Sequence, residues 1–359
     1  MANKDKKILK VAVIGCGNIG TSAHIPAYMQ NDEVEIKYFC DIIPERAQAQ
    51  VDKYGVGEAI EDYHVALNDP DVDIVSVCTP NNLHRPMTVE ALEAGKDVLC
   101  EKPAARTYED AKAMLDAYKS SDRMLSIGVV NRFNTQVNKI RELIEEGALG
   151  DVHHVYVSFR AHRSIPGIGG MFTTKEISGG GVLIDWGVHY IDIVMYCLND
   201  PKAKTVSAET FSKLGTDIDN YTYVSMWSQA DTPTLTYDVD DSMTALVRTE
   251  KAVFTLHGAW AQNIGESETY IDFMGDKGGI RLQYGGDFTL YSTHNGMLTE
   301  TKYKMKTKNM FHEEINAFVE TVRTREPNAG SIERNILTSE LMQAIYDSAE
   351  QHREVVLDN

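Results

Sequence analysis

One short segment constrains the fold of this chain more than any other: the sequence GCGNIG at Gly15–Gly20, which follows the apolar, β-branched run Leu9–Ile14. It fits the pattern G-x-G-x-x-G at the junction between a strand and a helix. There the first glycine permits a tight turn, the second lets backbone amides approach a pyrophosphate, and the third lets the helix pack closely on the strand. The segment therefore predicts a parallel sheet with a dinucleotide at its edge.

An acidic residue at a suitable distance supports that interpretation. Asp41 lies 21 residues after Gly20, at the end of the next predicted strand, where a carboxylate accepts hydrogen bonds from the ribose hydroxyls of NAD. The same carboxylate would repel the 2′-phosphate of NADP, and Ile42 and Ile43 follow it rather than a basic residue. We therefore expect NAD. Arg46, one turn into the next helix, leaves NADP as the less favoured cofactor and is equally explained as a solvated residue.

The first 130 residues alternate short strands with amphipathic helices, which is the pattern of a parallel sheet covered by helices. Helices are predicted from Pro44 to a left-handed cap at Gly55, and from the capping pair Thr107 and Asp110 to about Tyr118. We expect residues 1–130 to form a doubly wound Rossmann domain. Besides Leu9–Ile14, its predicted strands are Glu35–Cys40, Ile74–Cys78, Val98–Cys100 and Met124–Val129.

The pattern changes from about Gly150, where runs with a period of two residues follow one another with turn signals between them. Residues 131–359 are therefore expected to form an α+β domain with a large, open, mostly antiparallel sheet. Its predicted strands are Val152–Phe159, Tyr221–Trp227, Met243–Arg248, Ala252–Trp260 and Tyr270–Met274. Its predicted helices are Val182–Cys197, Met310–Arg323 and Ile332–His352.

Charge and cysteine content exclude several other classes of protein. The 35 basic and 53 acidic residues give a net charge of −18, which repels nucleic-acid phosphates and anionic lipid surfaces. The first apolar run is cut short by the glycine turn, far below the length of a signal peptide or membrane span, so we expect a cytoplasmic protein. Five cysteines without a C-x-x-C pair predict buried thiols, with neither a disulfide framework nor a metal site.

Two loops that follow predicted strands carry candidate site residues. Thr79-Pro80-Asn81, with His84 just beyond, follows one strand, and Glu101-Lys102-Pro103 follows another. In an open parallel sheet, ligands bind outside the carboxyl ends of the strands, so both loops are expected to face the cofactor. Lys102 is a candidate for the reaction site, although its position alone is equally consistent with a solvated surface lysine.

A triple glycine precedes the predicted helix Val182–Cys197. The spacing of Asp185 and His189 on that helix places both side chains on one face. A carboxylate that supports an imidazole suits a general acid–base step, such as taking the proton of an alcohol as hydride leaves its carbon. From these residues alone, a surface ion pair is the more frequent explanation. Asp192, one turn further, is either a substrate acceptor or a structural acceptor.

Together these motifs resemble the Gfo/Idh/MocA family of NAD(P)-dependent sugar and cyclitol oxidoreductases. The resemblance spans nearly the whole chain and implies a Rossmann domain followed by an α+β domain whose open sheet commonly forms the interface of a homodimer or homotetramer. Four motifs in order carry it: the Gly15–Gly20 turn, Thr79-Pro80-Asn81 with His84, Glu-Lys-Pro at Glu101–Pro103, and the Gly-Gly-Gly…Asp-x-x-x-His motif at Gly179–His189.

The resemblance also implies roles for individual residues. Lys102 would position the reacting hydroxyl, and His189, held by Asp185, would exchange its proton while hydride moves to or from C4 of the nicotinamide. Arg163, after a predicted strand end, is a candidate donor to sugar hydroxyls, alongside Lys102, Asp185, His189 and Asp192 as substrate-binding residues. Carried over by position, the cofactor-binding residues are Gly15, Gly17, Asn18, Ile19, Gly20, Asp41, Thr79, Asn81, His84, Glu101, Lys102 and Asn131.

One local departure is visible: the family usually has a proline where Arg132-Phe133-Asn134 leads into Thr135, so the placement of Arg132 is left open.

The expected activity is hydride transfer between NAD and a secondary hydroxyl of a sugar, glycoside or cyclitol, with ring C3 of a glucoside favoured over inositol. Two alternatives stay open. One is a glycosidase that retains NAD and acts by transient C3 oxidation and elimination; the other is a non-catalytic sensor of sugar and NAD, which the presence of Lys102, Asp185 and His189 disfavours.

Overall fold

A computed structural model describes residues 7–217, 221–222, 226, 228 and 236–357. The chain forms two compact units, each assembled from three segments of sequence. The first unit comprises the chain up to Ala105, Glu109–Phe133 and Lys308–Ile336, and the second comprises Arg106–Tyr108, Asn134–Thr307 and the chain from Leu337 onward.

The first unit is built on a six-stranded sheet in the order β3-β2-β1-β4-β5-β6, with every neighbouring pair parallel. The order reverses between β1 and β4, where doubly wound sheets bind their ligands. The predicted Rossmann fold is therefore confirmed. Only β3, three residues long, was too short to be recognised in the sequence. The strands are β1 Leu9–Ile14, β2 Val34–Cys40, β3 Glu58–Ile60, β4 Ile74–Val77, β5 Asp97–Glu101 and β6 Leu125–Gly128.

Helices connect the strands, and two predicted boundaries agree with the structure. The second helix begins at Pro44 and ends at Tyr54, followed by Gly55 with a left-handed φ of 68°. The helices are α1 Ile25–Tyr28, α2 Pro44–Tyr54, α3 His64–Asn68, α4 Asn81–Glu93, α5 Tyr108–Lys119, α6 Thr135–Glu145, α7 Lys175–Ser178, α8 Val188–Cys197, α9 Met310–Thr324 and α10 Ile332–Gln351. Short π-helical turns at Gly20–His24 and Leu183–Gly187 precede α1 and α8, and a 3-10 turn spans Val130–Phe133.

Helix α9 packs in the core of the first unit, although the sequence pattern assigned it to the second domain. Its buried residues Ile315, Phe318 and Val319 share one apolar cluster with Val11 and Phe39 of the first sheet. The first compact unit therefore includes a segment from far along the chain, which a division at residue 130 does not describe.

The second unit contains a nine-stranded sheet in the order β14-β13-β12-β11-β7-β10-β9-β8-β15. Its pairs are antiparallel except β7 with β10, so the predicted α+β class is confirmed. Most of the strand predicted at Tyr221–Trp227 lies outside the described residues. The strands are β7 Val152–Arg160, β8 Ala203–Phe211, β9 Ser242–Thr249, β10 Val253–Ala259, β11 Glu268–Gly275, β12 Gly278–Gln283, β13 Phe288–His294, β14 Met297–Lys302 and β15 Val355–Val356.

The five cysteines are buried and unbonded to one another, in agreement with their predicted role as structural thiols. Within the described ranges, no group of three or more potential ligands is placed to hold a metal ion. None of the helices in those ranges is both long enough and apolar enough to cross a membrane.

Candidate active site

The three glycines of the turn after β1 meet different surroundings. Gly15 has a left-handed φ of 99°, and a Cβ there would overlap the carbonyl group of Cys78. A Cβ on Gly20 would overlap the carbonyl oxygen of Gly15. A Cβ on Gly17, by contrast, would meet no atom of the described residues within 4 Å. The first and third glycines are therefore required by packing, and the second borders open space that fits an approaching pyrophosphate.

Asp41 connects the end of β2 to this turn. Its buried carboxylate accepts a hydrogen bond from the amide of Cys16 at Oδ2 (2.9 Å) and one from the amide of Ile43 at Oδ1 (2.9 Å). Each carboxylate oxygen can accept a second hydrogen bond, so the group remains able to bind ribose hydroxyls. Arg46 lies in the first turn of α2, with its side chain partly buried.

The loop after β4 contains polar atoms that fit a ligand. The hydroxyl of Thr79 and the side-chain carbonyl of Asn82 are buried without a hydrogen-bond partner among the described residues. Buried polar atoms of this kind are normally satisfied, so they support a bound molecule at this edge of the sheet. Asn81 begins α4 beside them.

His84 is fully buried and ties two loops together. Its Nδ1 lies 2.7 Å from the carbonyl oxygen of Pro103, and its Nε2 lies 2.9 Å from that of Thr79. Burial lowers the pKa of His84, which favours a neutral ring that donates only one of these hydrogen bonds at a time. The structure thus gives His84 protein partners on both sides and a role in holding the loops.

Glu101 and Lys102 stand at the end of β5. The buried Glu101 carboxylate accepts the amide of Lys102 at Oε2 (3.0 Å), and its Oε1 lies 2.8 Å from Nε2 of His24. Lys102 itself is partly exposed and is followed by a cis peptide bond to Pro103. Sequence reasoning missed His24, although it lies only four residues beyond Gly20.

The short 3-10 turn after β6 contains two polar residues that the resemblance placed near the nicotinamide or the substrate. Asn131 and Arg132 are both buried. Arg132 donates from Nη1 to the carbonyl oxygen of Ala329 at 3.1 Å, within the first unit. Its guanidinium therefore binds the segment that leads into α10. This contact defines the placement of Arg132, which the sequence had left open.

In the second unit, the triple glycine is explained by close packing on three sides. Gly179 has a φ of 87°, and its Cβ would lie 2.8 Å from the carbonyl oxygen of Arg106. A Cβ on Gly180 would overlap the hydroxyl of Tyr346, and one on Gly181 would overlap the carbonyl oxygen of Asp240. Only glycine fits at each position.

Asp240 anchors the start of the helical segment that follows. Its Oδ1 accepts the amide of Gly181 (2.7 Å) and the hydroxyl of Tyr346 (2.8 Å), and its Oδ2 accepts the amide of Leu183 (3.1 Å). Burial raises the pKa of Asp240 despite these hydrogen bonds. Neither Asp240 nor Tyr346 was predicted, because nothing in the local sequence indicates a partner 57 residues or more away.

Asp185 and His189 lie on this anchored segment. Asp185 is buried within the π-helical turn Leu183–Gly187, and His189 is partly exposed in the first turn of α8. The His189 ring lies 6.4 Å from the ring of Tyr284, which stacks on Tyr190 at 4.4 Å. π-helical turns occur frequently at functional sites, and this one sits at the predicted acid–base pair.

Two further predicted substrate residues have protein partners in the second unit. Asp192 is buried and accepts the hydroxyl of Thr338 at 3.2 Å. Arg163 donates from Nη1 to the carbonyl oxygen of Gln262 (2.8 Å) and from Nη2 to Oδ1 of Asn263 (2.5 Å). These contacts favour structural roles for both side chains.

Comparisons with known proteins agree with the fold and the motifs. The family model for Gfo/Idh/MocA oxidoreductases with an NAD-binding Rossmann fold matches residues 9–129, and the model of that family's C-terminal domain matches residues 137–281. D-glucoside 3-dehydrogenase of Escherichia coli (strain K12) is 32% identical, over 97% of this chain and 97% of that protein. Myo-inositol 2-dehydrogenase of Thermotoga maritima is 26% identical, over 98% of this chain and 99% of that protein.

Solved structures show the same architecture. Levoglucosan dehydrogenase in complex with NADH and levoglucosan has a TM-score of 0.83 at 21% identity, covering 98% of this chain and all of that one. Aldose-aldose oxidoreductase of Caulobacter crescentus, complexed with glycerol, has a TM-score of 0.81 at 25% identity, with the same coverage. The family models cover most of the sequence and the bacterial relative spans nearly all of it. The chain therefore belongs to the Gfo/Idh/MocA family of oxidoreductases with an NAD-binding Rossmann fold.

Proposed function

We propose that the protein is an NAD-dependent dehydrogenase that oxidises a secondary hydroxyl of a glycoside, at ring C3 of a D-glucoside, to the ketone. The observation that carries this choice is the full-length similarity, at 32% identity, to D-glucoside 3-dehydrogenase. The similarity to myo-inositol 2-dehydrogenase is weaker over the same span, so a cyclitol is the second choice of substrate. The relatives described above are oxidoreductases, so neither a glycosidase nor a non-catalytic sensor is favoured.

The residues that we assign to NAD binding all lie in the first unit. We assign the pyrophosphate to the amides of the Gly15–Gly20 turn, supported by the open space beside Gly17. We assign the adenosine ribose to Asp41, and the nicotinamide half to the loops after β4 and β5, where the buried Thr79 hydroxyl needs a partner. Bound there, NAD supplies the acceptor for the hydride.

The chain's own residues then handle the proton and the charge. As hydride leaves the substrate carbon, its O–H bond breaks and the proton passes to the imidazole of His189, leaving a C=O group. The Lys102 ammonium orients the hydroxyl and stabilises the negative charge that develops on its oxygen. Asp185 supports the positive charge that His189 gains.

The test follows the near-ultraviolet absorbance of reduced nicotinamide, with NAD and a panel of D-glucosides, free sugars and inositols. Continuous growth of the absorbance with a D-glucoside is expected, and identification of the 3-keto product completes the assignment. A rise limited to one equivalent of protein would contradict a dissociable cofactor and point to the NAD-retaining glycosidase. No rise with any substrate would contradict the proposed function.

Two substitutions test the assigned residues. Lys102→Ala is expected to lower kcat by about 10²–10³-fold through lost charge stabilisation. His189→Ala should lower it by about 10²–10⁴-fold through lost proton transfer. Both should bind NADH as the wild type does, by fluorescence titration. Unchanged turnover in either variant would refute its role, and lost NADH binding would indicate damage beyond the reaction site.

We also propose that the protein is a homo-oligomer that pairs through the outer face of the nine-stranded sheet. That face carries half-buried aromatic rings, with Tyr156 lying 5.8 Å from Tyr270 and 5.7 Å from His257. Arg281 lies over the Tyr270 ring at 4.1 Å. Aromatic side chains and arginine are enriched at interfaces between protein chains. Light scattering on the purified protein should give a mass of two or four chains, and a mass of one chain would refute this arrangement.

A further inference from the structure

The first unit contains a buried pair of ionisable side chains, one in the helical turn that follows the glycine-rich segment and the other at the end of β5. His24, in the π-helical turn after Gly20, is 1% exposed, and Glu101 is 6% exposed. Nε2 of His24 lies 2.8 Å from Oε1 of Glu101. Histidine and glutamate with so little exposure need specific partners, because an unpaired buried charge is costly.

The remaining polar atom of the imidazole also has a partner. Nδ1 of His24 lies 2.8 Å from the hydroxyl of Ser76, which in turn lies 3.9 Å from Sγ of Cys78. A serine hydroxyl can accept a hydrogen bond from Nδ1–H, so both ring nitrogens are able to donate at once. The surroundings therefore accommodate a doubly protonated, charged ring.

Electrostatics favour the charged forms of both groups. Burial opposes the charge on His24, but the neighbouring Cys78 sulfur and the Glu101 carboxylate raise its pKa well above the ordinary value. Burial likewise opposes the charge on Glu101, but the hydrogen bond and charge of His24, together with the charge of Lys102, lower its pKa. Tyr28 also approaches Ser76 and Cys78 from the same helical segment, and its phenol remains neutral because burial raises its pKa.

The second carboxylate oxygen of Glu101 connects the buried pair to Lys102. Oε2 accepts the backbone amide of Lys102 at 3.0 Å, so the carboxylate bridges the imidazole and the main chain of the candidate reaction-site lysine. Gly128, on the neighbouring strand β6, leaves no spare room: a Cβ there would lie 3.0 Å from Oε1. The carboxylate is therefore confined, and what orients it also orients Lys102.

We propose that His24 is a positioning residue for the reaction, which acts by holding the Glu101 carboxylate as an ion pair and thereby fixing the main chain of Lys102. This rests on the proposed function, in which the Lys102 ammonium orients the substrate hydroxyl. His24 touches neither substrate nor cofactor in this role.

The kinetic test compares His24→Gln with a matched control. Glutamine keeps a neutral amide donor but removes the positive charge, and we expect kcat to fall by about 10²-fold while the NADH dissociation constant is unchanged. The control is His64→Gln, because His64 pairs with Asp62 on the surface of the same unit and is about half exposed. It should leave kcat unchanged. If His24→Gln does not fold, Ser76→Ala, which removes only the Nδ1 partner, is the milder variant and should also lower kcat selectively.

A double-mutant cycle separates positioning from general support of the fold. In a Lys102→Ala background, His24→Gln should cause no further loss of the residual rate, because its effect passes through Lys102. An equal further loss in that background would overturn the positioning role. So would a wild-type kcat in His24→Gln alone.

Histidine NMR tests the ion pair without relying on turnover. The ¹⁵N shifts of the His24 ring should report two protonated nitrogens at about pH 8, where an ordinary histidine is neutral. In Glu101→Gln the ring should lose its proton at that pH. A neutral His24 ring in the wild type would overturn the proposal. If the wild type oxidises no sugar, glycoside or inositol, the proposed function fails, and the NMR result still decides whether the ion pair exists.

Discussion

The glycines of the first turn differ in purpose: we assign Gly17 to cofactor binding, whereas Gly20 is required by packing. Gly17→Ala is expected to weaken NADH binding by at least about tenfold, because its methyl group would enter the open space that we assign to the pyrophosphate. The same change should leave the free energy of unfolding unchanged or raise it by about 0.4–1 kcal/mol, since alanine has less freedom than glycine in the unfolded chain. Fluorescence titration with NADH and urea unfolding measure the two effects.

The matched control is Gly20→Ala, whose new Cβ would overlap the carbonyl oxygen of Gly15. Main-chain atoms cannot move aside as a flexible side chain does, so this variant should lose about 1–3 kcal/mol of stability. Wild-type NADH binding by Gly17→Ala would contradict the assignment of the pyrophosphate to this turn.

The buried His24–Glu101 pair is expected to stabilise the fold within a pH range that the two side chains bound, His24 on the alkaline side and Glu101 on the acid side. The folded-state pKa of His24 is raised, so its contribution is complete below the unfolded pKa of about 6.5 and is lost as pH rises through the folded pKa. The folded-state pKa of Glu101 is lowered, so its contribution is present above the unfolded value of about 4.3 and is lost as pH falls through the folded pKa.

The stability difference between the wild type and His24→Gln should therefore be largest at about pH 5–6 and smaller on either side. Urea unfolding across a pH series measures it. Since His64 is exposed, His64→Gln should show little difference at any pH. A constant difference between wild type and His24→Gln from acid to alkaline pH would show that the residue contributes through packing alone.

At the residue scale, the sequence indicated the groups whose spacing is fixed by one local motif. The glycine turn and Asp41 were recognisable because their spacing along β1, α1 and β2 is fixed by local geometry. His24, Asp240 and Tyr346 were missed because their partners lie 77, 59 and 106 residues away. Histidine, aspartate and tyrosine occur in many surroundings, and only the folded chain shows which of them are buried together.

At the scale of elements, helix α9 provides the clearest test of how the first unit is held together. Phe318 is fully buried in the cluster with Val11, Val13 and Phe39. Phe318→Ala should lower the free energy of unfolding by about 3–5 kcal/mol, through lost apolar burial and the cavity left behind. Glu320→Ala, on the exposed side of the same helix, should change it by less than about 0.5 kcal/mol. Equal small effects would contradict the packing of α9 in this core.

The pattern of apolar residues predicted α9 as an amphipathic helix but could not indicate which sheet it covers. A period of 3.6 residues shows that one face is buried, and it carries no information about the partner. The strands β8 and β12–β14 were missed for a related reason: exposed positions in β14 and short runs in β12 weaken the period-two signal. Strand β7 was recognised, because Val155, Val157 and Phe159 are buried along one face.

At the scale of the whole molecule, we expect two sources of negative charge to oppose a cofactor with an added 2′-phosphate: the net charge of −18, and the carboxylate of Asp41, to which we assign the adenosine ribose. The dependence on salt concentration distinguishes the contribution of the net charge from that of Asp41. The Debye length falls from about 10 Å at 0.1 M salt to about 3 Å at 1 M, so the field of distant charges is screened. A buried carboxylate within hydrogen-bonding range of the ribose is screened far less.

We therefore expect the protein to prefer NADH over NADPH at low salt and to retain most of that preference at about 1 M salt. Ligand-induced shifts in the urea unfolding transition measure it, since a cofactor at about 100 times its dissociation constant stabilises the folded state by about 2.7 kcal/mol. Asp41→Ser should reduce the preference at every salt concentration, because it removes the local charge and leaves the net charge nearly unchanged. If high salt alone abolishes the preference in the wild type, the charge of the whole molecule selects the cofactor, and Asp41 serves only to join β2 to the glycine turn.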